Sequence, residues 1–308
     1  IEGHEDVAAL TKLPIIGDVA IASDHAKTKA DIVVHANQNN LMEEVFRSIR
    51  ANIQFMLKEG EHTIMFTSTT FGEGKTFTAA NLAVSFALLD KKVVIVGLDI
   101  RKPRLAELFE IPNHHQGITN LLVKENPTME DIKKQILPSG VNDNLDVLMA
   151  GPIPPNPSEL VSRQSLDIII GQLKEHYDYV IIDTAPIGLV TDTQQIARIA
   201  DLTVYMCRAD YTPKSSFAFI NSLSMENKLP NMTIVINGID MAKKKYGYYY
   251  GYGKYGKYGK YGKYGKYGHY GKYGSYGKSY GSYGANYGSY GNYANSGYGN
   301  RNDDSIKM

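Results

Sequence analysis

Apolar residues along this chain follow two patterns that alternate from residue 41 to about residue 240: runs of three to six, unbroken or interrupted by a single threonine, and stripes at helical spacing. Ile64-Met65-Phe66, Val93-Val94-Ile95-Val96, Val180-Ile181-Ile182, Leu202 to Cys207 and Met232 to Ile236 are the runs, and they have the character of strands buried on both faces. Asn144 to Met149 predicts one more strand. Leu41, Val45, Ile49, Ile53 and Met56 recur at helical spacing, and Ala79 to Ala87 is strongly helical. Gln164 to His176, Asp192 to Ile199 and Pro213 to Asn227 predict further helices. Residues 105–140 predict short helices and loops, one helix opening at Gly117 and another covering Met129 to Ile136. Gly151 to Leu160 is a proline-rich connector whose Ser158 opens a helix. Such β-α alternation predicts an α/β fold: a doubly wound, mostly parallel sheet with helices on both faces.

Residues 1–40 carry few periodic cues beyond the short extended piece Leu13-Pro14-Ile15-Ile16-Gly17, and are expected to be an arm lying on the body. The other end changes character altogether. Nineteen of the 23 tyrosines lie between Tyr246 and Tyr298, mostly in Tyr-Gly-Lys or Tyr-Gly-Ser triplets almost free of aliphatic residues. That segment cannot bury enough surface to offset its ordering entropy, and disorder is expected. The chain thus divides into an arm (1–40), a body (41–242) and a tail (243–308).

Charge sharpens the division. From Lys243 onward there are 12 basic and two acidic residues, a balance of +10, while residues 1–242 hold 21 basic and 30 acidic, a balance of −9. The near-neutral whole hides an acidic body and a basic tail. At 308 residues and 43% hydrophobic content the body can bury a sizeable core. A lone cysteine, Cys207, excludes a disulfide framework, fits a reducing compartment, and reads as a small buried hydrophobe. No apolar run approaches the ~18 residues of a membrane span, and no signal peptide is visible. Since the chain begins at Ile1, it is expected to be the cytoplasmic portion of something longer.

Three strand ends carry the chemistry. Ile64 to Ser68 runs through Thr69-Thr70-Phe71-Gly72-Glu73-Gly74-Lys75-Thr76 into a helix, the arrangement of a phosphate cradle. There Gly72 and Gly74 let N–H groups turn inward, Lys75 reaches β- and γ-phosphates, and the Thr76 hydroxyl ligates Mg²⁺. The full pattern has glycine six residues before the lysine, where this chain has Thr69. Asp99 and Arg101 end the second run, at the edge where open α/β sheets place ligands; a turn aspartate is the alternative. Asp183-Thr184-Ala185-Pro186 ends the third run as a Walker B element does, its carboxylate meeting the magnesium shell. Asn237, before Gly238, either reads an adenine edge or makes a turn. Glu44, Arg47 and Arg50 share one side of the first body helix, which by itself suits a solvated face with a local ion pair. The His114-His115 pair, with no ligand cluster near it, suits a surface loop.

With these motifs and the tyrosine-rich end, residues 40–240 resemble the catalytic domain of bacterial tyrosine autokinases, P-loop proteins of capsule and exopolysaccharide export. The resemblance implies that Gly72, Glu73, Gly74, Lys75, Thr76 and Phe77 form the nucleotide-binding Walker A element, joined by Asn237. It implies catalytic roles for Lys75, Asp99, Arg101 and Asp183, with Thr76, Asp99 and Asp183 as metal ligands. Glu44-Val45-Phe46-Arg47-Ser48-Ile49-Arg50 matches the family's ExxRxxR signature, implying ring-forming contacts through Glu44, Arg47 and Arg50. The family's Asp-x-Asp-x-Arg stands here as Gly97-Leu98-Asp99-Ile100-Arg101, so the first carboxylate is missing and Asp99 is the nearest candidate to accept the tyrosine proton.

The expected activity is ATP- and Mg²⁺-dependent autophosphorylation of tail tyrosines, in trans within a ring. The candidate acceptors are Tyr255, Tyr258, Tyr261, Tyr264, Tyr267, Tyr270, Tyr273, Tyr276, Tyr280, Tyr283, Tyr287, Tyr290, Tyr293 and Tyr298. The implied partners are further copies of the chain, a membrane-spanning chain-length regulator, fused or separate, and a phosphotyrosine phosphatase. No nucleic acid is expected. The implied location is the cytoplasmic face of the inner membrane. The alternative is a non-kinase P-loop assembly ATPase whose Tyr/Gly-rich tail is an interaction module.

Overall fold

Strands of the body assemble in the order β1-β8-β7-β2-β6-β3-β5-β4 in a computed structural model that describes residues 1–21, 32–35, 41–112 and 116–240. His114, His115, all the candidate acceptor tyrosines and the rest of the tail lie outside the described residues. The strands are β1 (Ile15–Ala20), β2 (Thr63–Ser68), β3 (Val93–Gly97), β4 (Ile136–Pro138), β5 (Leu145–Leu148), β6 (Tyr179–Asp183), β7 (Leu202–Arg208) and β8 (Met232–Ile239). Every neighbouring pair is parallel apart from β4 and β5, which are antiparallel. The helices are α1 (His4–Leu10), α2 (Leu41–Met56), α3 (Lys75–Ala87), α4 (Leu105–Leu108), α5 (Ile118–Leu122), α6 (Met129–Lys133), α7 (Pro157–Ser162), α8 (Gln164–His176), α9 (Asp192–Ile196) and α10 (Ser216–Met225).

The unbroken apolar runs become central strands because both of their faces are covered. Every residue of β2 and β3 is buried. Alternate positions serve opposite layers, as the two-residue period of a strand requires. Met65, Val94, Val96 and Ile182 share one cluster with Leu166, Ile169 and Leu173 of α8 and Phe217 and Ile220 of α10. α3 covers β2, β3 and β6 from the other side, and α2 packs on α3 and β1. The burial of Ile64, Met65 and Phe66 is worth about 1.5–3 kcal/mol each, which anchors the strand that precedes the cradle. Cys207 is buried, as a small hydrophobe in that position should be.

Three parts of the chain differ from their sequence-based expectation. The stretch expected as an arm supplies α1 and the edge strand β1, whose parallel pairing with β8 lies far away in sequence and leaves no local periodicity. β4, a three-residue antiparallel strand, falls where a helix was expected to continue to Ile136; α6 stops at Lys133. The last strand also runs on to Ile239, so Asn237 and Gly238 lie within it rather than after it.

Register sets the site. Asp183 pairs with Phe66 on one side and Gly97 on the other, so β2, β6 and β3 end side by side. The Leu98 and Asp99 N–H groups both donate to the Asp183 carbonyl, at 2.8 and 3.0 Å.

The edge strand gives a test of the packing. A Cβ at Gly17 would fall 2.3 Å from Cγ1 of Ile49 on α2. Gly17→Ala should cost about 1–3 kcal/mol in denaturant unfolding. In combination with Ile49→Ala the costs should be less than additive by more than about 0.5 kcal/mol, and strict additivity would place β1 elsewhere.

Candidate functional site

Between β2 and α3 the chain turns through residues 69–74 in a conformation that glycine alone takes readily. Gly72 and Gly74 have φ of 80° and 97°, and Gly74 caps α3 in the left-handed region. Gly74 is constrained a second time, because a Cβ there would lie 2.1 Å from Nδ2 of Asn237.

Each carbonyl from Thr70 to Glu73 is held by a side chain. The Ser68 hydroxyl donates to Thr70 O at 2.7 Å, the Tyr211 hydroxyl to Phe71 O at 3.0 Å, Arg208 to Gly72 O at 2.8 Å, and the Asn237 amide to Glu73 O at 3.2 Å. Carbonyls committed in this way leave the N–H groups of residues 71–74, together with the first-turn N–H groups of α3 that have no helical acceptor, for an anion.

Glu73 holds the loop's own shape. It is fully buried; Oε2 accepts the Thr70 N–H at 2.8 Å and Oε1 accepts the Thr212 hydroxyl at 2.5 Å. The Thr212 oxygen in turn accepts the Arg208 N–H at 2.8 Å. Thr69, which stands where the pattern has glycine, shares a 2.9 Å hydrogen bond with the hydroxyl of buried Tyr205. Of the residues expected to contact nucleotide, Glu73 and Phe77 thus turn their side chains into the protein, Phe77 packing edge-on against Phe46 at 6.2 Å between centroids.

The carboxylates converge from the neighbouring strand ends. Asp183, 1% exposed, accepts the Thr76 hydroxyl at 2.8 Å through Oδ2, while its buried Oδ1 has no hydrogen-bond partner among the described residues. Burial pushes its pKa up to about 7, against the opposing pull of the Lys75 ammonium and the Thr76 hydrogen bond. Asp99 is also buried, and burial raises its pKa against hydrogen bonds from the Lys102 and Arg101 N–H groups and the charge of Lys75. Lys75 is therefore close enough to both carboxylates for its charge to be felt. Gly97 has little room for the missing carboxylate: a Cβ there would meet Leu105 Cδ1 at 3.1 Å and the Ala150 nitrogen at 3.2 Å.

A hard divalent cation fits this donor set. Mg²⁺ keeps several waters and takes one or two carboxylates plus phosphate oxygens, and an orphaned buried carboxylate oxygen beside a threonine hydroxyl supplies the protein's share. No cluster of three or more metal-ligating side chains occurs among the described residues, which that coordination habit does not require.

Arg101 is directed elsewhere. Its guanidinium binds Asp192 in two-point fashion, at 2.6 and 3.0 Å, and Ser158 at 3.1 Å. Asp192 is buried, yet its hydrogen bonds from Arg101 and Ser158 outweigh that burial and hold its pKa below the usual carboxylate value. On α2, Arg47 pairs with Glu44 and with Glu43 at 2.5 and 3.0 Å, and Arg50 binds the Ser85 carbonyl and hydroxyl, tying α2 to α3.

The sequence reading missed Arg208, Tyr211, Thr212, Ser158 and Asp192. Arg208 to Thr212 directly follow a buried run, at the same sheet edge as Lys75, and that position was the available signal.

A family model described as an AAA domain matches residues 61–213, from the start of β2 past the loop that follows β7. Tyrosine-protein kinase YwqD of Bacillus subtilis (strain 168) is 35% identical over 226 residues, covering 73% of this chain and 93% of that protein. Among solved structures, the chimerical protein CapA2B2 superposes with a TM-score of 0.68 at 33% identity, covering 77% of this chain and 100% of the other. The BceF tyrosine kinase domain superposes with a TM-score of 0.68 at 27% identity, covering 78% and 99%.

The raised pKa of Asp183 has a sign that can be tested. Its folded value of about 7 lies above the ordinary 3.8, so the neutral carboxyl's advantage is full below pH ~4 and is lost as pH rises through 7. Without ligand the fold should lose up to about 4 kcal/mol between pH 4 and 8, and Asp183→Asn should flatten that slope in denaturant titrations. Affinity for Mg²⁺-nucleotide should run the other way, strengthening from pH 6 to 8 in the parent protein but not in Asp183→Asn. Parallel pH profiles in both proteins would contradict the assignment.

Proposed function

The chain belongs to the bacterial tyrosine-protein kinases, and we propose that it transfers the γ-phosphoryl group of ATP to tyrosines of its own C-terminal tail, delivered in trans within a ring of identical copies. The observation that carries this reading is the meeting of the cradle, Lys75, Asp99 and Asp183 at one sheet edge, in a chain whose end holds 19 of its 23 tyrosines. The loop and first-turn N–H groups hold the triphosphate. Lys75 offsets charge that develops on the transferred group, and positioning with electrostatics supplies nearly all of such catalysis. Thr76, Asp183 and Asp99 hold Mg²⁺, which when bound neutralises phosphate charge. A phenol with pKa ~10 needs an acceptor for its proton, and Asp99, raised in pKa by burial, is the nearest carboxylate to that task. Arg101, fixed by Asp192 and Ser158, keeps the segment after β3 in place. Asn237 lies against the cradle through Glu73, where an adenine edge is also within its remit.

Charge supports capture and release. A tail of +10 is drawn to the −9 of residues 1–242, and a phosphotyrosine adds about −1.5 to −2, so roughly five or six phosphates cancel the tail's excess. Glu44, Arg47 and Arg50 are the proposed contacts between copies. The proposed setting is control of extracellular polysaccharide synthesis and export at the cytoplasmic face of the inner membrane, with a membrane-spanning chain-length regulator, fused or separate, and a phosphotyrosine phosphatase as partners. No helix among the described residues is long and apolar enough to cross a membrane. The names of the relatives favour this reading over an assembly ATPase with an interaction tail.

Incubation of the full chain with ATP and Mg²⁺ should add phosphate to tail peptides in mass spectrometry, and Lys75→Met should reduce it by at least about a hundredfold. Light scattering should report smaller assemblies as tail occupancy passes five or six. ATP hydrolysis with no phosphate on any tail peptide would favour the assembly ATPase instead.

A further inference from the structure

The body has four tyrosines, and three are committed to the fold. Tyr177 donates to Asp146 at 2.7 Å, Tyr179 packs on Phe86 at 4.0 Å between ring centroids, and Tyr205 is buried. Tyr211 is different: it is 50% exposed, on the loop after β7, at the sheet edge where the cradle opens. Its hydroxyl donates to the Phe71 carbonyl, and the Arg208 guanidinium lies 5.3 Å from its ring centroid.

We infer that Tyr211 is a second phosphoacceptor, modified by another copy of the chain, and that its phosphate loosens the cradle and weakens nucleotide binding. This rests on the kinase reading above. The phenol oxygen meets the loop at a carbonyl, whereas phosphates are held by N–H groups, so a Tyr211 hydroxyl does not address its own bound triphosphate. A loop exposed at the cradle's own edge can be offered to a second copy's cradle. In the transfer, the bond between the γ-phosphorus and the β–γ bridging oxygen breaks and a bond to Tyr211 Oη forms. ADP leaves with the electron pair, and the phenol proton passes to a carboxylate of the copy that held ATP.

Two anchors of the loop are then lost together. The esterified oxygen has no proton to donate to Phe71 O. The new group carries about −1.5 to −2 charge and draws Arg208 from Gly72 O, since both sit at the same ring. Lys102, whose Nζ lies 4.4 Å from the Phe71 ring centroid, is a further cation within that neighbourhood. Nucleotide phosphates would meet a looser loop with added negative charge beside it: a Cβ at Gly72 would lie only 3.4 Å from the Tyr211 hydroxyl. Two hydrogen bonds of ordinary net worth correspond to roughly a tenfold loss of affinity.

The test follows the tryptic peptide of residues 209–214 in the full chain during incubation with ATP and Mg²⁺, alongside tail peptides. Isotope-labelled Lys75→Met chain, mixed in, reports transfer between copies. The peptide should gain one phosphate in both chains, and affinity for a fluorescent ADP analogue with Mg²⁺ should fall about tenfold in step with Tyr211 occupancy rather than tail occupancy. Phosphatase treatment should restore it. Phosphate on the tail with none at Tyr211 overturns this inference and leaves the kinase reading standing; phosphate on neither overturns both. Modification confined to the unlabelled chain overturns transfer between copies, and the parent protein alone decides whether Tyr211 is modified if the variant does not fold. Modified Tyr211 with unchanged ADP affinity overturns its effect on the cradle.

Discussion

A buried carboxylate braces the loop on which everything else depends. Glu73 bridges the Thr70 N–H and the Thr212 hydroxyl, so the bend between β2 and α3 is closed from inside and fastened to the segment after β7. An unpaired buried charge is costly, so removal of either partner would penalise the folded loop and not merely forgo a contact. The same segment supplies Arg208 and Tyr211, and β8 supplies Asn237. The polarity of the cradle is thus set from outside it: side chains take the carbonyls, and amides are what remains for phosphate.

The strand ends supply the opposite charge. Asp183 and Asp99 lie next to each other because β6 and β3 are in register, and the Asp183 carbonyl receives two N–H groups from the turn that carries Asp99. Their burial is unfavourable for the ionised forms, and a nearby ammonium offsets only part of it. A divalent cation would offset the remainder, which makes ligand binding and carboxylate ionisation two sides of one equilibrium. Gly97 fits this economy of charge. Position 97 is confined between Leu105 and the end of β5, and a third carboxylate there would have raised the cost of charge at the edge.

Much of this was legible in the residues. Unbroken apolar runs revealed the central strands, because burial on both faces leaves no other solution, and the Gly-x-Gly-Lys-Thr spacing placed the cradle. Asp99 and Asp183 were legible as strand-terminal carboxylates. What stayed hidden depends on pairings distant in sequence. β1 meets β8 across more than two hundred residues, and Glu73, a residue of the pattern's variable position, takes its role from Thr212. Arg101 carries the right charge for phosphate, yet its partner is Asp192, which in the sequence is only a helix start. Arg50, read from its spacing as part of a surface signature, spends its guanidinium on Ser85 of the next helix.

The most direct test of the brace is backbone amide hydrogen exchange across residues 70–77, with and without Mg²⁺·ADP, in the parent chain and in Thr212→Val. The account predicts that nucleotide protects the amides of residues 72–76 in the parent chain. In Thr212→Val, with the Glu73 carboxylate released from its hydroxyl, the same amides should exchange faster before nucleotide is added and gain less protection after it. Identical exchange in the two proteins, or no protection by nucleotide in the parent, would contradict the claim that this carboxylate shapes the phosphate site.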